Sequence, residues 1–324
     1  MKQITFGRTN AKVSTISLGT WSYGSGNVSD GRSVGWADQS DVDSRAALIQ
    51  AWKSGINHWD TADVYGNGRS ENIIGNIWGA VPRNDIFLAT KVGWDKGGFD
   101  HYYHPKMIRE HIDLSLINLQ TDVIDLYYFH HCNFDSDDIF EDALDLFHRF
   151  REAGKIRFIG LSDWDSTKIM RYIDRVNPDV LQPYRNVMDD PYQSSGLKDW
   201  VDKNNASIAF FSPIKNGLLT GKYSKPPVFK EGDFRVNVSD FQDMNLLKKL
   251  QDNRIKLEEK FSVYPQPVLH GLLGALLTDS PTGCVLLGQR NVNQVKAAAE
   301  LGEALSEEDA SWVMELYGKN KVKE

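Results

Sequence analysis

Ile124-Asp125-Leu126-Tyr127-Tyr128-Phe129-His130, the segment 138–153, and Ile156-Arg157-Phe158-Ile159-Gly160-Leu161-Ser162 decide the fold. The outer pieces are apolar runs of strand length. The middle piece places apolar residues at helical spacing, and Gly154 follows it as a stop. The unit reads strand, helix, strand.

The same rhythm extends both ways along the chain. Strands are predicted at 16–19, 56–60, 86–91, 124–130, 156–162, 180–182, 207–211 and 283–287. Helices are predicted at 44–54, 70–78, 105–118, 138–153, 165–176, 196–204, 243–261 and 291–301, with a last one at 307–317. Eight strands each followed by a helix is the count of a (β/α)8 TIM barrel. A doubly wound sheet would use fewer strands or show a composition break, and neither a linker nor a low-complexity segment occurs. The expected organisation is therefore α/β, one domain over 1–324. An N-terminal β-hairpin occupies 1–15, a Pro- and Gly-bearing loop covers 212–241, and a C-terminal helix and tail fill 302–324.

Composition narrows the partners. The 37 basic residues against 44 acidic ones give a net charge of −7 with no basic tract, which argues against nucleic acid and anionic membrane as partners. Only Cys132 and Cys284 are present, as in a reducing compartment, and no apolar run is long enough to span a bilayer. The expectation is a soluble cytoplasmic protein acting on a small molecule.

Reactive side chains of such a barrel collect where strands end. The second strand ends in Trp59-Asp60-Thr61-Ala62 with Tyr65 close behind. The third ends in Thr90-Lys91, and the fourth in Phe129-His130. Together they supply an acid, a phenol, an ammonium and an imidazole. A phenol of ordinary pKa about 10 is a reluctant acid near neutrality, and an ammonium beside it favours the phenolate. Asp60 would hold Lys91, and His130 would orient a substrate oxygen. The set suits protonation of an oxyanion at a carbonyl and offers no obvious nucleophile.

The strings Trp59-Asp60-Thr61-Ala62-Asp63-Val64-Tyr65-Gly66, Gly68-Arg69-Ser70-Glu71, Ala89-Thr90-Lys91 and Asp125-Leu126-Tyr127-Tyr128-Phe129-His130 resemble the aldo-keto reductase family. So do Gly160-Leu161-Ser162-Asp163, Phe211-Ser212-Pro213-Ile214, the run from Gly217 to Tyr223, and Gly288-Gln289-Arg290. The resemblance implies an NADPH-dependent carbonyl reductase on a (β/α)8 barrel, without metal or flavin. Its tetrad falls on Asp60, Tyr65, Lys91 and His130, with Tyr65 as proton donor.

Cofactor contacts implied by the resemblance are Gly19, Thr20 and Trp21 below the nicotinamide, and Ser162, Asp163 and Gln182 at its carboxamide. Phe211 stacks on the ring. Ser212, Ile214, Gly217 and Lys222 wrap the pyrophosphate. Arg290, helped by Lys222 or Arg235, pairs with the adenosine 2′-phosphate, Gly288 and Gln289 join the cofactor contacts, and Gln294 meets the adenosine end. Asp163 replaces the usual asparagine, and Ala297 and Ala298 replace a glutamate and an asparagine. Trp21, Trp94, His131, Cys132 and Phe134 follow strand ends and are expected to line an apolar substrate pocket. The loop 24–43, with Arg32 and Trp36, shapes its mouth, and the short chain after Leu301 leaves it open. Adjacent strand residues face opposite ways, so His130, His131 and Cys132 do not form a metal site. Two rivals remain: a lyase forming a Schiff base on Lys91, and a regulatory subunit sensing nicotinamide redox state.

Overall fold

The computed structural model describes residues 1–29 and 32–318. It opens with the antiparallel hairpin β1 (Gln3–Thr5) and β2 (Lys12–Ser14). β3 (Ile16–Gly19) follows, then a loop carrying the two-residue strands β4 (Val28–Ser29) and β5 (Arg32–Ser33). The remaining strands are β6 (His58–Asp60), β7 (Phe87–Val92), β8 (Ile124–Phe129), β9 (Ile156–Asp163), β10 (Val180–Pro183), β11 (Ser207–Phe210) and β12 (Gly283–Gly288). β3 and these seven close in parallel, with β12 returning to β3. The predicted (β/α)8 barrel and hairpin are both present.

The helices between strands are α1 (Asp41–Lys53), α2 (Arg69–Gly75), α3 (Pro105–Asn118), α4 (Asp137–Glu152), α5 (Ser166–Val176), α6 (Leu197–Asn204), α7 (Met244–Lys260), α8 (Pro267–Leu277), α9 (Val292–Ala299) and α10 (Glu307–Tyr317). Their starts are written in the sequence. Ser40, Ser136 and Asp165 each accept a backbone N–H of the first helical turn, and Pro105 stands at the first position of α3.

α8 departs from the sequence reading, which left 267–277 unassigned between a helix and a strand. All eight residues from His270 to Leu277 are buried where α8 packs against α7, α10 and β12. A helix apolar on every side carries no 3.6-residue alternation to read. Three short 3-10 turns punctuate residues 212–241, at Lys215–Thr220, Phe234–Asn237 and Ser239–Gln242. Of the predicted tail, 319–324 lies outside the described residues.

Two cores result. One lies between strands and helices. The other fills the barrel and is floored by Phe6 and Val13 of the hairpin, packed with Phe87, Leu126, Tyr128 and Leu286. Tyr128 stands opposite Gly160 on the neighbouring strand, and a Cβ on Gly160 would fall 2.2 Å from its ring. Only glycine leaves room for that phenol beneath the barrel's mouth. Gly160→Ala should therefore lower stability by about 1–3 kcal/mol in urea unfolding, with much of the loss recovered by adding Tyr128→Leu. An unchanged midpoint in the single variant would show that the ring can yield.

Candidate active site

Asp60 ends β6 and Lys91 lies near the end of β7, so the parallel register brings both to the barrel's C-terminal rim. Lys91 is 1% exposed. Its Nζ donates to Asp60 Oδ1 at 2.6 Å and to the Thr61 carbonyl at 2.7 Å. Burial favours the neutral amine, but the carboxylate at this distance outweighs it and holds the ammonium above its usual pKa. The second oxygen of Asp60 accepts Gln182 Nε2 at 2.8 Å.

Tyr65 rides on the turn that follows β6. Gly66 has φ +63°, and a Cβ there would fall 2.3 Å from the Gly24 carbonyl, so the turn presses on the loop after β3. The Tyr65 hydroxyl lies 3.5 Å from Lys91 Nζ, which also stands 5.1 Å from the centre of its ring. Here the structure corrects an expectation. Burial raises the phenol's pKa, and the neighbouring ammonium reverses only part of the rise. Tyr65 is thus held protonated rather than made more acidic.

His130 follows β8, its ring 5.9 Å from Tyr65 and 5.1 Å from Trp94. Burial and the Lys91 charge keep its pKa well below the usual imidazole value, so the ring is neutral. Its buried Nδ1 has no hydrogen-bond partner among the described residues. All four predicted tetrad residues meet in one place.

The predicted cofactor residues divide. Trp21 stacks on Tyr65 at 6.2 Å and donates to the Val34 carbonyl. Thr20, beside Gly19, donates to the Asp60 carbonyl and so braces β6. Phe211 meets Trp164 edge-on at 4.7 Å, and Tyr184 is 5.7 Å away. Ser212 and Gly217 have positive φ, with Ile214 between them. Lys222 is exposed and has no ion-pair partner among the described residues. Arg290 donates to Gln39 Oε1 at 2.9 Å and to the Ala37 carbonyl at 2.6 Å, with no carboxylate ion pair among the described residues. Gly288 is open to solvent, and Gln294 is exposed and accepts the Arg290 backbone N–H.

Other predicted residues are engaged elsewhere. Ser162 donates to the Gln182 carbonyl, and Gln182 is itself bound to Asp60. Asp163 accepts the Cys132 N–H at 2.7 Å on one oxygen and the Asp165 N–H at 2.8 Å on the other. The two donors sit on different oxygens, and an asparagine would set its N–H2 against one of those N–H groups, which gives the unusual carboxylate a structural reason. Gln289 is fully buried, its Nε2 donating to the Ser17 and Leu287 carbonyls. Arg235 forks onto Asp233 and lies between Phe229 and Trp36. Ala298 is buried in the core at the α9–α1 contact, where an asparagine would need a partner.

The expected substrate pocket is also corrected. Phe134 packs among Tyr103, Phe129, Phe140 and Tyr172 and belongs to the aromatic core. Cys132 is buried against the Ser162 carbonyl. His131 is buried, its Nδ1 accepting the Asn133 N–H. Trp94, 40% exposed, and Trp21 remain beside Tyr65 and His130. Trp36 and Phe234 join Trp21, and Trp164 and Tyr184 join Phe211. Trp164 and Tyr184 directly follow Asp163 and Pro183, so the strand-end rule would have found them.

Residues 15–317 match the sequence profile of the Aldo/keto reductase family. The chain is 34% identical over 225 residues to the NADP(+) aldo-keto reductase yakc of Schizosaccharomyces pombe, across 67% of this chain and just under two thirds (65%) of that protein. It is 29% identical over 336 residues to the NADH-specific methylglyoxal reductase of Escherichia coli, across 98% of each. A probable voltage-gated potassium channel subunit beta of Arabidopsis thaliana is 28% identical over 246 residues, 73% of this chain and 71% of that protein. The glycerol dehydrogenase of Gluconobacter oxydans shares the fold, with a TM-score of 0.79 at 24% identity over 97% of this chain and 94% of its own. With that match running from β3 to α10, the chain belongs to the aldo/keto reductase family.

Proposed function

We propose that this protein reduces aldehyde or ketone carbonyls to alcohols, with Tyr65 as proton donor and NADPH as the preferred reductant. The observation that carries the reading is the Tyr65 hydroxyl 3.5 Å from the buried Lys91 ammonium, next to the His130 ring, whose Nδ1 has no hydrogen-bond partner among the described residues. When bound, a reduced nicotinamide supplies hydride. Residues of this chain handle the oxygen. His130 orients it, Tyr65 protonates it, and Lys91 steadies the phenolate left behind while Asp60 keeps the ammonium in place. The aromatic walls from Trp21 and Trp94 favour a planar or apolar carbonyl over a charged one. The cytoplasmic expectation rests on the two buried free cysteines.

NADPH is supported by Arg290, a cation with no carboxylate ion pair among the described residues, flanked by Trp36 and Arg235. NADH is the second reading, because Arg235 is already committed to Asp233 and one relative is named NADH-specific. Arg290→Ala should weaken NADPH roughly 10- to 100-fold by fluorescence titration and leave NADH within a few-fold. Equal losses would assign Arg290 to the architecture of the mouth loop alone.

Tyr65→Phe should reduce turnover roughly 10²–10⁴-fold, followed by the fall in nicotinamide absorbance across a panel of aldehydes, while dinucleotide binding persists. Full turnover in that variant would mean that another group gives the proton. A sensing subunit would instead bind the dinucleotide and show negligible turnover before any substitution. A Schiff-base lyase would be trapped on Lys91 by borohydride.

A further inference from the structure

The turn carrying Tyr65 is tied down by a pair of groups that take no part in the mechanism above. Asp63, two residues before Tyr65, meets His111 Nδ1 of α3 at 2.7 Å through Oδ2, and its Oδ1 accepts the Val64 N–H at 2.6 Å. The Asp63 backbone is pinned as well. Its N–H donates to the Lys91 carbonyl, and its carbonyl accepts the Gly68 N–H at 2.7 Å. At the far end of the same segment Glu71 is fully buried, accepting Thr90 Oγ1 at 2.7 Å and Asn118 Nδ2 at 3.2 Å. Thr90 is the residue before Lys91. The Tyr65 turn is thus hung between α3 and the strand of its lysine partner.

We propose that His111 is a positioning residue for the proton donor: as a cation paired with Asp63, it fixes the turn that places the Tyr65 hydroxyl against Lys91. The proposal rests on the reading of Tyr65 as donor. The acidic groups facing His111 are Asp63 from the turn, Asp95 from the loop after β7 and Glu71 from α2. The hydrogen bond to Asp63 raises the imidazole's pKa first, burial opposes it, and the three carboxyl groups add to the rise. A raised value means that the pair is complete below the ordinary imidazole pKa of about 6.5 and is lost as pH climbs through the folded value. Burial pushes Glu71 up to about 7, so it loses a proton in a neighbouring range. Tyr65 itself is held above 10.0 and stays protonated throughout. A fall in turnover between neutral pH and about 9 therefore reports the mount and not the donor.

The test measures kcat and KM for one aldehyde from about pH 5.5 to about pH 9 in the parent, His111→Gln, His111→Lys and Glu71→Gln. Expected is an alkaline fall of kcat in the parent with KM steady. In His111→Gln, kcat should be roughly 3- to 10-fold lower at the acid end and flat with pH. His111→Lys, cationic throughout, should keep the acid-end rate further into the alkaline range. Glu71→Gln should retain the parent's fall. A His111→Gln profile parallel to the parent's, or a fall abolished by Glu71→Gln instead, overturns the proposal.

A second readout does not need turnover. In protein labelled with 3-fluorotyrosine, the Tyr65 fluorine resonance, assigned by its loss in Tyr65→Phe, should shift with pH in the parent and not in His111→Gln. An identical shift in both overturns the mount. A shift that depends on His111 in a protein that reduces no aldehyde retains the mount and sinks the reductase reading.

Discussion

Everything at the barrel's mouth depends on the buried contact between Lys91 and Asp60. Removing an ammonium and a carboxylate from water costs several kcal/mol for each, and only close geometry with further hydrogen bonds makes the pair tolerable. This site supplies both, because Thr61 offers a carbonyl to the lysine and Gln182 an amide to the aspartate. These partners come from β6, β7 and β10, so the pair is as rigid as the barrel that holds it. Mutating Asp60 would leave an uncompensated buried cation, and the phenol would lose its neighbour as the lysine gave up its proton.

The mouth has its own architecture. The loop after β3 and the loop after β11 join over the end of β12. The Gly35 and Asn27 N–H groups donate to the Gly232 carbonyl, Phe234 N–H to the Gly35 carbonyl, and Asn237 to the Ser33 carbonyl. At this junction Arg235, Trp36 and Arg290 are layered, with Asp233 paired to the first cation. The sequence singled out Arg290 and Trp36 for this region, but Gln39 and Ala37, whose oxygens set the direction of Arg290, lie 251 and 253 residues earlier and gave no local signal.

What was legible followed from periodicity and from polar punctuation. Apolar runs ending in Asp60, Lys91 and His130 fixed both the strands and the tetrad, since a strand end has one rim to face. Residues beyond the rim were harder to place. Ser162, Asp163 and Gln182 look like ligand contacts in sequence, yet each finds a partner inside the protein, and a single chain of letters does not show which donor is already engaged. Phe134 and Cys132 misled for the same reason: a loop residue after a strand can turn toward the helices as readily as toward the mouth. α8 escaped notice because its burial is uniform, not because its signal is weak.

The acid strength of Tyr65 shows where residue chemistry alone gives the wrong sign. A lysine next to a tyrosine suggests an easily lost proton, and with both in water that inference would hold. Here the same burial that strengthens the attraction also penalises the phenolate, and burial is the larger effect. The resting phenol therefore keeps its proton, which is the state a donor needs before a substrate arrives. On the proposed reduction the ammonium would matter at the later moment, when the substrate oxygen takes the proton and negative charge develops on the ring. An interaction that is stronger after proton transfer than before it is the kind that lowers a barrier, whereas lowering the resting pKa would only empty the donor early. In the proposed reaction the placement of Lys91 against the hydroxyl would govern rate, and whatever holds the Tyr65 turn in register with β7 would govern that placement.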